Sequence, residues 1–168
     1  MEITKEKIED IAQTIHSEMG WKQYADINPS HVAKELGFDV KVAEFKDPNI
    51  SGIVIHKTEP HEKVIYLNQE DSPVRQRFTL AHEIGHIILH HKLEEGEDFQ
   101  QVDYRKNNID FDPKEYQANS FAAAFLMPKE LVKKAWNELK SVDDFSAVFK
   151  VSKQAAAIRL NDLNLLGF

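Results

Sequence analysis

The sequence predicts an α+β fold in which a small three-stranded antiparallel sheet packs on a helix that carries an H-E-x-x-H motif. Three observations lead to this prediction. Short β-like runs lie between residues 38 and 68, helical patterns precede and follow them, and the chain ends in a helical C-terminal part. No internal repeat or low-complexity linker divides the 168 residues, so we expect a single domain over 1–168.

Two helices are expected in residues 1–37. Apolar residues at helical spacing indicate the first, over about residues 4–19, and Gly20 ends it. The second begins with Asn28 as N-cap and Pro29 in its first turn, and it stops at Gly37. The apolar face of the first helix consists of Ile8, Ile11, Ile15 and Met19.

The sheet is expected within residues 38–68. Its three runs are rich in β-branched or aromatic residues, and the connections contain Asp47-Pro48-Asn49 and Pro60, which favour turns. Because the connections are short, we expect an antiparallel meander. The runs are FDVKVAEF (38–45), SGIVIH (51–56) and KVIYLN (63–68).

Residues 73–126 are expected to contain the two helices of the candidate site. A helical pattern begins after Ser72 and continues to about His91. Residues 92–111 are highly charged and lack periodicity, so we expect a functional or mobile loop there. A second helix follows, and it is bounded by Asp112, Pro113 and Pro128.

Residues 128–168 are expected to be helical throughout. A helix over about 128–140 precedes two short helices, SVDDFSAVFK and VSKQAAAIRLNDL. The simplest interpretation of this pair is that its apolar side chains close the core. Those side chains are Phe145, Val148, Val151, Ile158 and Leu160.

The composition restricts the classes of function. There are no cysteines, so a metal could be held only by His, Asp or Glu. A formal charge of −7 argues against general, direct nucleic-acid binding. The N-terminus lacks the apolar segment of a signal peptide, and no apolar run approaches a membrane span, so we expect a cytoplasmic protein.

The segment RFTLAHEIGHIILHH (77–91) contains the motif as His82, Glu83 and His86. Residues four apart share a helix face, so the two imidazoles can point at one metal ion, with Zn²⁺ the obvious occupant. Glu83 follows His82 and lies beside this helix face, where it can act as general base toward a water on the metal. The alternative is a buried helix whose polar groups are satisfied within the core, although burying such groups is costly unless they are paired or metal-bound.

Two histidines do not complete a catalytic zinc site, and the same helix does not offer a third ligand. Leu89 and Lys92 stand where the longer H-E-x-x-H-x-x-G-x-x-H motif requires Gly and His. His90 would lie a turn beyond the metal. We therefore expect His90 and His91 to face solvent or to support the ligands.

Glu115, in the second helix, is the best candidate for the third ligand. It shares a face with Ala118 and Ala122, which would let the two helices approach closely, and with Asn119, which could orient a ligand. The alternative is a capping box, since Asp112 and Glu115 have the N-cap and N3 spacing. Because the predicted metal site lacks a third ligand, we favour ligation by Glu115 over the capping box.

Two segments together resemble the ImmA/IrrE family of intracellular metallopeptidases. They are QRFTLAHEIGHIILHH and EYQANSFAAAFLMP, and the similarity continues upstream in VAKELGFDVKV and the SG strand. It also continues downstream in FKVSKQAAAIRLNDLNLLG, so it covers the chain from about residue 28 onwards. These paired motifs are highly specific.

The resemblance implies a zincin-like minimal metallopeptidase domain with His82, His86 and Glu115 as ligands of Zn²⁺ and Glu83 as base. Mn²⁺ or Fe²⁺ could also occupy such a site. Family members are endopeptidases that cleave helix-turn-helix transcriptional repressors and thereby derepress mobile-element, prophage or stress genes. The resemblance therefore implies a protein substrate of that kind.

Two further elements of a peptidase are expected. Many zincins bind the substrate as an added strand on the sheet edge, and KVIYLN could serve here, although it could equally be an ordinary core strand. An oxyanion stabiliser is also expected, and Tyr104, Tyr116 and His90 are chemically suitable. Arg75 and Arg77 could be surface or supporting residues.

A regulator is the alternative function. Residues 141–163 could form a helix-turn-helix, with Ser152 capping a recognition helix, beside a non-catalytic metal site. Charge disfavours DNA binding, because three basic and three acidic residues balance between 141 and 168. Docking of another protein on the exposed face of the pair remains open.

Overall fold

A computed structural model describes residues 2–105 and 111–167. In order along the chain its helices and strands are α1 (Lys5–Met19), α2 (Pro29–Glu35), β1 (Asp39–Ala43), β2 (Ile50–Thr58), β3 (His61–Asn68), α3 (Pro73–His90), β4 (Phe99–Tyr104), α4 (Pro113–Leu126), α5 (Lys129–Leu139), α6 (Val142–Phe149) and α7 (Lys153–Asp162). Short 3₁₀ turns occupy Tyr24–Asp26 and Leu93–Glu95. The α+β class is confirmed.

Local capping chemistry sets the helix boundaries. The side chain of Asn28 accepts a hydrogen bond from the backbone of His31 and begins α2, as predicted. Ser72 does the same for α3 through the backbone N–H of Arg75. Gly20 ends α1 at φ 71°, a left-handed conformation that costs glycine little.

The sheet differs from the predicted three-stranded antiparallel meander. It has four strands in the order β1-β3-β2-β4, and β1 runs parallel to β3. β2 is antiparallel to both of its neighbours, β3 and β4. The meander was wrong because a short connection limits the distance to the next strand but does not require pairing with it. The turn through Asp47-Pro48-Asn49 takes the chain from one side of β3 to the other.

The interval 92–111 is not a structureless loop. It contains the 3₁₀ turn and strand β4, while residues 106–110 lie outside the described residues. The strand FQQVDY was missed because its one buried position is the polar Asp103, so the segment lacks the apolar alternation of a half-buried strand.

The proposed substrate edge must also be corrected. KVIYLN lies in β3, which pairs with β1 on one side and β2 on the other. It is therefore an interior strand whose backbone groups are already paired along the sheet. The edges of the sheet are β1 and β4.

The chain forms two compact units. One comprises Asn28–Asn119 and holds the sheet, α2, α3 and the beginning of α4. Its core is apolar and includes Phe38, Val54, Ile65, Leu80, Ile84 and Ile87. The single-domain organisation over 1–168 stays a prediction.

The other unit comprises Met1–Ile27 and Ser120–Phe168. Its fully buried side chains include Ile8, Phe121, Phe125, Phe145, Phe149 and Leu160. Of the side chains expected to close this core, Ile158 is instead 54% exposed, because it points away from the buried face that Ala156 and Leu160 form. Among the described residues, no helix has both the length and the apolar character needed to cross a membrane.

Candidate metal centre

Helix α3 carries the H-E-x-x-H motif in the core of its unit. Glu83 is fully buried, and His82 and His86 are 7% and 3% exposed. Because the two histidines are four residues apart, their rings stand over one another, and their Nε2 atoms are 3.1 Å apart. Two imidazoles bound to one tetrahedral zinc ion at about 2.0–2.1 Å would have nitrogens roughly 3.3 Å apart.

Glu115, in the first turn of α4, faces these histidines. Its Oε1 lies 2.7 Å from His86 Nε2, and its Oε2 lies 3.2 Å from His82 Nε2. Asp112 accepts a hydrogen bond from the backbone of Lys114, as expected of an N-cap. The carboxylate of Glu115 is thus directed at the imidazoles. The structure brings His82, His86 and Glu115 together, and their roles as ligands stay a prediction.

Asp103 is a fourth member of the cluster and was not anticipated. Its Oδ1 lies 3.5 Å from His82 Nε2 and 3.7 Å from His86 Nε2. Each of the four residues offers one ligand atom, and these atoms all lie within 4.8 Å of one another. One feature of the sequence could have indicated Asp103. If FQQVDY is a strand, its side chains alternate, and Asp103 lies on the same face as Phe99 and Gln101.

When His82 and His86 are neutral, hydrogen bonds at their Nδ1 atoms leave both Nε2 atoms free to donate electron pairs to a metal. His82 Nδ1 donates to Asn119 Oδ1 over 2.8 Å, so a neutral His82 has no proton on Nε2. His90 Nε2 donates to Gln117 Oε1 over 2.7 Å. His90 Nδ1 can then accept a hydrogen bond from His86 Nδ1, 3.2 Å away. His90 therefore supports His86, one of the two expectations for it.

Glu83 sits against the sheet as well as beside the cluster. A Cβ atom at Gly52 in β2 would lie 3.3 Å from Glu83 Oε1 and 2.9 Å from Thr79 Cγ2. The missing side chain of Gly52 is thus what makes room for the carboxylate. Burial raises the pKa of Glu83 well above its ordinary value, and a hydrogen bond to Asp103 raises it further.

The carboxylates of Asp103 and Glu115 and the imidazole of His82 stabilise one another's charged forms. Burial lowers the pKa of His82, but hydrogen bonds and the charges of Asp103 and Glu115 raise it to about 9. Burial raises the pKa of Glu115, but its contacts with His82 and His86 hold it well below its ordinary value. Two imidazole nitrogens and two carboxylate oxygens converging on one point are a donor set that fits a divalent transition metal.

The remaining candidates lie around this cluster. His91 Nδ1 lies 3.1 Å from Glu97 Oε1, and its ring stacks on Phe99 at 3.6 Å between centroids. It therefore packs against the β4 segment. Tyr104 and Tyr116 are 60% and 48% exposed, and an oxyanion-stabilising role for either stays a prediction. Arg75 is exposed and Arg77 is half-buried.

Two curated relatives match part of this sequence. A radiation response metalloprotease IrrE from Deinococcus radiodurans is 40% identical over 83 residues, covering 44% of this chain and 22% of the relative. Its counterpart from Deinococcus deserti is 39% identical over 83 residues, with 44% and 26% covered. The chain thus matches about a quarter of the length of these two relatives.

Two other similarities cover most of the chain. Uncharacterized immunity region protein 2 of Bacillus phage phi105 is 26% identical over 147 residues, covering 86% of this chain and 85% of the relative. A solved Mycobacterium tuberculosis transcriptional regulator superposes with a TM-score of 0.66 at 17% identity, over 93% of this chain and 46% of its own. That likeness concerns the fold alone.

The family profile Peptidase_M78, described as the IrrE N-terminal-like domain, matches residues 33–161. This range includes the sheet, all four cluster residues and Glu83. The chain therefore belongs to the metallopeptidase family defined by the IrrE N-terminal-like domain.

Proposed function

We propose that this chain is a zinc-dependent endopeptidase that hydrolyses a peptide bond of a protein substrate. The observation that carries the proposal is the convergence of His82, His86 and Glu115 on one point beside the buried Glu83. Three protein ligands with a neighbouring carboxylate are the arrangement of catalytic zinc sites, which keep a position open for water or substrate.

In this proposal His82, His86 and Glu115 hold the metal. A bound Zn²⁺ would supply Lewis-acid polarisation of a water molecule and of the scissile carbonyl. Glu83 accepts a proton from the attacking water, whose oxygen forms the new bond to the carbonyl carbon. Glu83 then delivers that proton to the amine nitrogen as the carbon–nitrogen bond breaks. Its burial favours the protonated form that this transfer requires.

The hydrogen bonds behind the cluster support this role. Asn119 holds the ring of His82, and the Gln117–His90 pair lies behind His86. Such contacts fix ring orientation and tautomer before the metal binds. Zn²⁺ suits two imidazoles and a carboxylate, and Mn²⁺ or Fe²⁺ suit the same atoms.

We further propose that the substrate is a helix-turn-helix transcriptional repressor in the cytoplasm, whose cleavage derepresses mobile-element, prophage or stress genes. Three relatives support this: one is named an immunity region protein of a phage, and two are named radiation response metalloproteases. The regulator alternative is not favoured, because the family to which the chain belongs is a peptidase family.

The test is co-incubation of zinc-loaded protein with a helix-turn-helix repressor encoded beside it, comparing wild type with Glu83→Gln. We expect cleavage by wild type and a loss of about 100- to 10,000-fold in the variant, the usual contribution of a general base. Bound zinc should be unchanged. Glu95→Gln, an exposed acid in the same unit, is the matched control. Wild-type cleavage by metal-loaded Glu83→Gln would contradict the proposal.

A further inference from the structure

Strand β4 directs one face at helix α3 and at His91, which follows that helix. Phe99 stacks on His91, and Gln101 Oε1 lies 3.4 Å from His91 Nε2. Asp103 continues the same two-residue period, and its Oδ1 approaches His82 and His86. The position of Asp103 in the cluster is therefore a consequence of the strand, since every second side chain of β4 meets this helical segment.

Backbone pairing and an ion pair hold β4 in register on either side of Asp103. Asp103 is the cross-strand partner of Gly52, next to an irregularity between Ile50 and Gly52. Two residues further on, the backbone N–H of Arg105 donates a hydrogen bond to Asn49 O over 2.6 Å. The guanidinium of Arg105 forms an ion pair with Asp71. The Asp103 carboxylate is thus supported by rigid elements, as a metal ligand should be.

Asp103 is a buried carboxylate that lies close to both imidazoles. The residue is 7% exposed. Its Oδ1 faces the two Nε2 atoms, which carry lone pairs when the rings are neutral. A buried carboxylate is costly unless it is paired, hydrogen-bonded or bound to a metal. Acceptors converging on one point are stabilised by a cation between them.

From these contacts we propose that Asp103 is a fourth protein ligand of the metal centre, alongside His82, His86 and Glu115. The inference rests on the proposed metallopeptidase site and extends it. Four protein ligands already fill a tetrahedral centre, so a water could join only as a fifth ligand. This predicts a centre of coordination number five or higher that accommodates Mn²⁺ or Fe²⁺ as well as Zn²⁺.

The test is titration of the metal-free protein with Co²⁺, followed by visible absorption, with dissociation constants for Zn²⁺ measured by competition. Asp103→Asn and Asp103→Ala are compared with Asp39→Asn, an exposed aspartate of the same sheet. We expect both Asp103 variants to weaken binding more than the roughly 100-fold seen when a residue supports a ligand only indirectly. Their Co²⁺ bands should change in position and intensity, and Asp39→Asn should match wild type.

Wild-type protein provides a second measurement that does not depend on the folding of a variant. With aspartate labelled at the carboxylate carbon, one aspartate signal should be strongly shifted by bound Co²⁺. That signal should be absent from Asp103→Asn. An unshifted set of aspartate signals in cobalt-loaded wild type would overturn the proposal.

The remaining outcomes separate this inference from the proposed function. If Asp103→Asn weakens binding by less than about 100-fold and keeps the wild-type Co²⁺ spectrum, Asp103 only positions other groups and is not a ligand. The proposed peptidase would survive that result. If His82→Ala also binds Co²⁺ as wild type does, the metal site itself is wrong, and the proposed function fails with it.

Discussion

At the scale of single residues, the chemistry of the centre depends on which atom of each imidazole carries a proton. Asn119 Oδ1 accepts a hydrogen bond from His82 Nδ1, so a neutral ring presents the lone pair of Nε2 to Glu115 and Asp103. A proton on Nε2 relieves this repulsion in the metal-free protein, and the pKa of His82 is accordingly raised to about 9 despite its burial. A divalent cation in the same place would also relieve the repulsion and would offset the cost of burying these side chains.

Replacement of Glu115 tests the centre most directly. We expect Glu115→Gln to weaken Zn²⁺ binding by more than about 100-fold, because a direct ligand should matter more than a residue that orients one. Glu130→Gln is the control, since Glu130 also lies in the first turn of a helix and shares any favourable interaction with the helix dipole. Equal affinities for the two variants, measured by competition with a chelator, would contradict the role of Glu115.

Whether a site residue could be predicted from the sequence depends on which element brings it to the cluster. His82 and His86 lie four apart on one helix, so their proximity is a property of the helix itself. Glu115 required a second helix, and the demand for another ligand selected it. Asp103 could not be found in this way, because strand pairing brings it to the cluster. The acids of a charged interval do not show which of them lies in a strand.

At the scale of secondary-structure elements, the caps were predictable and the sheet was not. Ser72, Asn28 and Gly20 mark helix ends through contacts within a few residues, so the local sequence contains them. The parallel pairing of β1 with β3 is a contact between strands that are not neighbours in the sequence, and local patterns do not encode it. Polar side chains on the buried face of β4 hid the fourth strand.

Gly52 lies where strand β2 packs on helix α3, and its replacement should disturb both elements. In Gly52→Ala the new Cβ would lie 2.9 Å from Thr79 Cγ2 and 3.3 Å from both Glu83 Oε1 and Tyr66 O. We expect a loss of roughly 1–3 kcal/mol in the free energy of unfolding, the usual cost of overpacking, and slower cleavage as Glu83 shifts. Denaturant titration and the repressor assay measure the two effects.

A second substitution distinguishes this clash from a general effect of alanine. Thr79→Ser removes the methyl group that the new Cβ would meet first. The double variant should therefore recover part of the stability lost in Gly52→Ala, while Thr79→Ser alone supplies the baseline. If the two changes are simply additive, the close approach of Gly52 to Thr79 does not determine the stability of this contact.

At the scale of the whole molecule, one of the two points where the chain passes between the compact units lies inside a helix. This boundary, between Asn119 and Ser120, falls within α4. Domains that fold independently are usually divided in exposed, flexible segments. The position of the boundary therefore favours the predicted single domain, and we expect the chain to unfold in one cooperative transition.

The ion pair between Glu9 and Arg159 allows this expectation to be tested from one unit. Arg159 is 2% exposed, and its guanidinium is bound to Glu9 and to the carbonyl of Met127. Glu9→Gln would leave a buried cation without its counterion, so we expect a loss of roughly 3–5 kcal/mol in the free energy of unfolding. Asp162→Asn breaks the exposed Lys5–Asp162 pair of the same two helices and should cost less than about 1 kcal/mol.

The measurement is chemical unfolding of wild type and Glu9→Gln, followed by tryptophan fluorescence and by circular dichroism. Trp21 and Trp136 both lie in the unit that contains Glu9, so fluorescence reports on that unit, whereas circular dichroism reports on both. In a single domain the two curves coincide and shift together in Glu9→Gln, because unfolding one unit unfolds the other. Separate transitions, with only the fluorescence curve displaced, would show that 1–168 contains two domains and that the metal centre is stabilised independently of Glu9.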